Sequence, residues 1–209
     1  MAHNEHTAAT EQHVHRDDVG ARMGMWLFLF TEILLFGGMF LVYAVYRYQY
    51  PDQFLLAGME LNTTIGAINT IILITSSLTV ALSIAALQKD NKFLSILMLV
   101  ITIFFAFLFM VNKYFEWTAK IDHGIYPGSE QMLEKQNGEI LFFGLYYIMT
   151  GLHGLHIIIG IVILSVILMF IVKDKITSTN LVKLENSGLY WHLVDLIWIF
   201  LFPLFYLIQ

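Results

Sequence analysis

Five long apolar runs separated by short polar breaks dominate the chain, at residues 23–46, 64–87, 93–111, 140–172 and 189–208. A helix of about 20 apolar residues crosses the hydrocarbon core of a bilayer, so each run is predicted to span. The fourth run is the longest and is expected to tilt or protrude into water. Residues 1–22 are polar and carry His3, His6, His13 and His15 among acidic residues with no apolar centre. That pattern fits a solvated, disordered tail rather than a cleavable signal peptide. The predicted organisation is a polar tail at 1–22 and an all-α, five-helix membrane bundle at 23–209. Residues 112–139 form the one substantial loop, with Glu116, Asp122, Glu130, Glu134 and Glu139 and a Pro127-Gly128 turn. This loop is too short for a catalytic domain. No fixed-period repeat and no pair of broken apolar segments of the transporter kind is present.

Inside these runs the ionisable residues stand out. A charge at the bilayer centre costs about 2.5–3.5 kcal/mol on insertion scales, so such residues face a partner, a cavity or the bundle interior. Glu32 lies about nine residues into the first run, roughly 13 Å deep at 1.5 Å per residue, and is expected to be neutral or tightly paired. It could belong to a proton path or simply donate a hydrogen bond. His153 and His156, in TGLHGLHIIIG at 150–160, share one helix face at i, i+3. That spacing suits two metal ligands or two hydrogen bonds to neighbouring helices. His192 and Asp195 have the same spacing in the fifth run and read as a self-satisfying pair. Gly151, Gly154 and Gly160 remove bulk beside the histidines and let another helix approach. Asn69, Thr70, Thr75, Ser76, Ser77 and Thr79 give the second run a polar face, facing Glu32 or the histidines across the bundle or bonded back to their own helix.

Composition places the chain in the membrane class, with 58% hydrophobic residues, 13% charged residues and a mean hydropathy of +0.71. The absence of cysteine removes disulfides, thiolate metal sites and thiol catalysis. The net charge of −5 sits in loops and tail, and no basic stripe points to nucleic acid. Seven basic residues (Arg16, Arg22, Lys89, Lys92, Lys173, Lys175, Lys183) fall on the N-terminal side of the membrane against four (Arg47, Lys113, Lys120, Lys135) on the other. The excess predicts a cytoplasmic N-terminus and an external C-terminus. Tyr43, Tyr46, Tyr48 and Tyr50 are expected to form an outer aromatic belt, with Trp26 and Trp191 near the inner interface.

MWLFLFTEILLFGG around Glu32, NTIILITSSLT from Asn69, YFE at 114–116, TGLHGLHIIIG, and ENSGLYWHLVDLIWIFLFPLFY from Glu185 together resemble subunit III of the haem-copper terminal oxidases, in family order across at least four helices. The chain is similar to the short five-helix bacterial type, which lacks the first two helices of the longer members. Thr31 stands where a serine is common before the family's glutamate, and the loop at 112–139 is longer than expected.

The resemblance implies an accessory subunit that itself holds neither haem nor copper. Those groups belong to subunit I, where oxygen is reduced. It implies direct contact with subunit I, membership of a complex including subunit II, support of proton uptake, and a cleft for structural phospholipids. Residue by residue, Glu32 matches the buried glutamate near lipid and His153 and His156 the paired histidines. Glu185, Trp191, His192 and Asp195 match the last-helix motif, and Asn69 is a polar structural position. Three other readings accompany this one: an accessory subunit of a nitric oxide reductase, an intramembrane metalloenzyme using His153, His156 and His192, and a proton-coupled transporter around Glu32.

Overall fold

The computed structural model describes residues 18–208. Of the disordered tail expected at residues 1–22, residues 1–17, Arg16 among them, lie outside the described residues, whereas residues 18–22 are helical. Every regular element among those described is helical: α1 (Asp18–Gln49), α2 (Pro51–Met59), α3 (Thr63–Gln88), α4 (Lys92–Asp122), α5 (Glu130–Leu133), α6 (Asn137–Val172) and α7 (Val182–Tyr206). Helices α1, α3, α4, α6 and α7 are long and apolar enough to cross a membrane, so the chain is a five-span all-α protein.

Side-chain oxygens start two of these helices. Asn62 accepts from the backbone N–H groups of Thr64 and Ile65, and Asn91 accepts from that of Leu94, satisfying amides that have no partner within the helix. Asp90 and Asp174 follow the α3 and α6 C-termini in the left-handed region, at φ 60° and 56°, which aspartate tolerates better than most residues. Lys92 joins these two turns, donating to the Val172 carbonyl at 3.0 Å and to Asp174 at 2.7 Å.

Four spans close a ring in which α3 meets α4, α4 meets α6, α6 meets α7 and α7 meets α3. Helix α7 is the most buried, with Trp191, Trp198, Leu201, Phe205 and Tyr206 fully enclosed. Helix α1 lies outside the ring against α6 and α7 and buries only Leu29, Phe36 and Tyr43. Those three are seven residues apart and form one narrow seam. Short α2 starts on Pro51, whose missing N–H costs nothing at a first helical position. It buries Phe54, Ala57 and Gly58.

The fold departs from the sequence expectations at three places. Residues 112–122 are the last turns of α4, not loop, and Lys113, Glu116 and Lys120 are buried. Tyr43 is no belt residue: it is fully enclosed and its hydroxyl donates to the Leu204 carbonyl. Trp191 is likewise core, its indole N–H donating to Ser76 at 3.0 Å. Trp26 and Tyr48 are exposed. In addition α1 begins at Asp18 and α7 at Val182, so Arg22 and Glu185, outside the apolar runs, are helical.

Candidate functional site

Glu32 on α1 and His156 on α6 meet at the seam where α1 lies on the ring. The His156 Nε2 to Glu32 Oε2 distance is 2.9 Å, and their side chains are 9% and 14% exposed. His156 Nδ1 lies 2.8 Å from the Leu152 carbonyl oxygen. A carbonyl only accepts, so Nδ1 carries a hydrogen and Nε2 faces Glu32. One further proton fits between them. The pair is then imidazolium with carboxylate or imidazole with carboxylic acid, and both forms are neutral overall. Neutrality is what lets two ionisable groups stand at this depth without an isolated charge. Tyr190 donates to the His156 carbonyl at 3.1 Å, and Phe36 sets its ring edge on the imidazole, with centroids 5.4 Å apart. The pair lines a groove of about 410 Å³ between α1, α6 and α7, walled by Met25, Phe28, Ile159, Ile163 and Tyr190. Asn186 and Ser187 form its polar end.

The two paired histidines part company. His153 is fully buried inside the ring against Trp198 and Phe109, with ring centroids at 5.3 and 5.7 Å. Neither of its ring nitrogens has a hydrogen-bond partner. His192 and Asp195 do not pair with each other. His192 Nδ1 instead lies 2.6 Å from Ser77 Oγ on α3, and Asp195 is buried beside the same serine. The polar face of α3 turns to α7 and α4 rather than to Glu32. Thr70 accepts from the Trp198 indole at 3.0 Å, and Asn69 accepts from Asn112 at 2.9 Å. Glu185 accepts from Arg22 at 2.8 Å, tying α7 to α1. Among the described residues no three His, Asp or Glu side chains gather as a metal-ligand set.

Gly160 serves the last-helix motif directly. A Cβ there would lie 2.6 Å from the Trp191 ring, so the glycine makes room for the indole. Gly154 has nothing within 4 Å of an added Cβ.

A second polar cluster lies at the opposite end of the bundle, where sequence reading placed a loop. Lys113 donates to Glu116 at 3.1 Å, to Tyr146 at 3.2 Å and to Tyr206 at 2.8 Å. Glu116 also accepts from Tyr146 at 2.7 Å and Tyr206 at 2.6 Å. All three ammonium hydrogens and both carboxylate oxygens are thereby used, which fastens α4, α6 and α7 together. Lys120 continues the cluster, donating to the Glu60 carbonyl at 3.2 Å. At the rim Lys135 bridges Glu60 at 2.5 Å and Glu139 at 3.1 Å. Burial opposes the Lys135 charge, but the hydrogen bonds it donates to Glu60 and Glu139 outweigh that and hold the ammonium above the usual lysine range. The signal for this cluster was present as polar residues at 113, 116 and 120. That i, i+3, i+7 spacing puts them on one helix face, with exposed Tyr114 and Phe115 on another.

The model of the cytochrome c oxidase subunit III family matches residues 3–209. The chain belongs to that family. It is 30% identical to cytochrome c oxidase subunit 3 of Thermostichus vulcanus, over 97% of this chain and 94% of that protein. It is 26% identical to the probable quinol oxidase subunit 3 of Staphylococcus saprophyticus, over 100% of this chain and 97% of that one. It is 28% identical to the haem-copper oxidase subunit I+III of Aeropyrum pernix, over 90% of this chain but only 22% of that longer protein. A subunit III associates with other oxidase subunits, and the last relative carries subunits I and III in one chain. As a subunit III with five apolar spans, the chain is a multi-pass membrane protein of an oxidase complex.

Proposed function

We propose that this chain is the non-catalytic accessory subunit of a bacterial haem-copper oxidase, seated against subunit I and holding structural phospholipid in the groove beside Glu32 and His156. The observation that carries the reading is the pair itself, Glu32 and His156 2.9 Å apart and lining an apolar groove that opens between α1 and the ring. Such a groove takes an acyl chain, and a couple with one exchangeable proton is suited to supporting proton entry into a neighbouring subunit. Haem and copper reside in subunit I, whose fusion to a subunit III in the Aeropyrum relative supports direct contact. Subunit II completes the complex. The basic residues on the N-terminal side favour a bacterial plasma membrane orientation with the N-terminus inside and the C-terminus outside.

The metalloenzyme reading loses its ligands to other work. His156 faces Glu32, His192 faces Ser77, and His153 sits in an aromatic cage, so the three do not converge on one point. The transporter reading lacks broken spans, since each of the five is one continuous helix.

The test is removal of this subunit from the purified oxidase by deletion of its gene. The haem and copper spectra and the first turnovers are expected to stay close to those of the intact complex, while activity decays sooner under sustained turnover and with lipid depletion. Loss of the metal centres' signals, or of all activity at the first turnover, would overturn the accessory reading.

A further inference from the structure

Two tyrosines of the Lys113 cluster stand apart in what their hydroxyls face. Tyr146 and Tyr206 are fully buried and donate to the same oxygen, Glu116 Oε1, at 2.7 and 2.6 Å. Their own hydroxyl oxygens are 3.4 Å apart. The other tyrosine hydroxyl bonds among the described residues run to peptide carbonyls, Tyr43 to Leu204, Tyr147 to Ile125 and Tyr190 to His156. That difference decides one-electron chemistry. A phenol that loses an electron becomes a strong acid, so it is oxidised readily only where a base takes its proton. A carboxylate is such a base and a peptide carbonyl is not. Glu116 also lines a cavity of about 480 Å³ together with Lys120 and the exposed His123, which gives that proton a way out to water.

An indole borders the pair. Trp198 is fully buried, with its ring centre 6.2 Å from that of Tyr206, and Tyr206 is 6.4 Å from Tyr146, close enough for an electron to pass between rings. The Trp198 N–H is held by Thr70, a hydroxyl and not a base. An oxidised Trp198 therefore keeps its proton and is a cation, and the Lys113 ammonium stands 5.3 Å from its ring centre. Like charges at that range repel. A tyrosine that has sent its proton through Glu116 to water is a neutral radical beside an intact ion pair. An electron lost from Trp198 is thus refilled from the tyrosines.

We propose that Tyr146, Tyr206 and Glu116 form a redox-active site that holds a neutral tyrosyl radical reversibly, sparing Trp198 and the rest of the bundle from one-electron oxidants. A strong one-electron oxidant, the class that partial reduction of oxygen produces, takes one electron from the phenol pair and is itself reduced by one electron. The phenolic O–H bond breaks, and its proton passes to Glu116 Oε1 and then to water in the cavity, so Lys113 and Glu116 end as the ion pair they began as. A reductant of the thiol or hydroquinone class returns the electron, water returns the proton, and the phenol is restored. The site does not depend on what the Glu32 groove holds.

The test uses the purified oxidase complex, flash-oxidised with ruthenium(II) tris(bipyridine) and persulfate and frozen for electron paramagnetic resonance. A tyrosyl signal is expected that loses one component in the double variant Tyr146→Phe/Tyr206→Phe. The same component should vanish in Lys113→Met/Glu116→Gln, which keeps both phenols and strands no charge but has no base for the proton. Tyr147→Phe, whose hydroxyl faces only the Ile125 carbonyl, should leave the component unchanged. Peptide mass spectrometry should show more oxidation of Trp198 in both double variants than in wild type, because the indole is no longer refilled. A signal untouched by loss of both phenols or by loss of Glu116, an equal loss in Tyr147→Phe, or Trp198 oxidation no higher in the double variants would overturn the site.

Discussion

Lys113 and Glu116, one turn apart on α4, lie 3.1 Å from each other with only 7% and 4% of their side chains exposed. Two tyrosines from other helices complete their hydrogen bonds. Taking two charges out of water is expensive and their attraction only repays it when every donor and acceptor is used. The cluster is thus less a source of net stability than a device that admits one arrangement of α4, α6 and α7. Its value shows when a single member is removed.

Lys113→Met should therefore be far worse than its size suggests, leaving Glu116 as a buried carboxylate without its cation. The expected loss is about 3–5 kcal/mol, read as a lower melting temperature of the complex and escape of this subunit during purification. The double variant Lys113→Met/Glu116→Gln removes the stranded charge and should recover much of that loss. If the double variant were as unstable as the single one, packing rather than charge pairing would be the dominant contribution.

Lys135 gives the rim of the same region a pH signature of definite sign. Its folded pKa is raised by Glu60 and Glu139, so the stability it contributes is fully present below the ordinary lysine pKa, about 10.4. It is lost as pH rises through the higher folded value. The melting temperature difference between wild type and Lys135→Gln should be constant near neutrality and shrink above about pH 10. A difference that grew with alkalinity would contradict the assignment.

The five spans were legible because hydropathy alone selects them, and Glu32 was legible because a carboxyl in such a run demands a partner. The identity of that partner was not: Glu32 and His156 are 124 residues apart, and only the packing of α1 on α6 joins them. The Lys113 cluster was hidden for the opposite reason. Its charges lowered the local hydropathy and so imitated a loop, although their spacing is that of one helix face. His192 and Asp195 show the limit of spacing rules, since i, i+3 makes contact possible while Ser77 on α3 takes the imidazole. Tyr43 and Trp191 show another, because interfacial depth does not reveal whether a ring points to lipid or to the core.

Gly160 and Gly154 offer a paired test of helix approach. At Gly160 an added methyl meets the Trp191 ring at 2.6 Å, whereas at Gly154 it meets nothing within 4 Å. Gly160→Ala should displace the indole from Ser76 and cost about 1–3 kcal/mol. Gly154→Ala should be neutral or slightly stabilising, since alanine is favoured over glycine in a helix by about 1 kcal/mol. Melting curves of the two variants in the same complex compare them directly, and equal effects would show that Trp191 can rearrange freely.

Glu32→Gln separates the proton held by the Glu32–His156 pair from its hydrogen bond. The amide can still donate to Nε2 of a neutral imidazole, so the contact survives, but the exchangeable proton is gone. The variant complex should show unchanged haem and copper spectra, at most a modest fall in initial turnover, and faster decay of activity in sustained turnover. The deficit should widen at high pH, where protons are scarce. Glu32→Ala also opens the hydrogen bond and leaves His156 facing the groove alone, which should cost about a further 1.5–3 kcal/mol of subunit retention. Asp195→Asn offers the contrast, because Asp195 lies inside the ring beside Ser77 rather than on the groove. Durability equal to wild type in Glu32→Gln at every pH, together with normal lipid content, would reduce Glu32 to a packing residue. Complete loss of the first turnover in a properly assembled Glu32→Gln complex would instead make it part of the reaction itself.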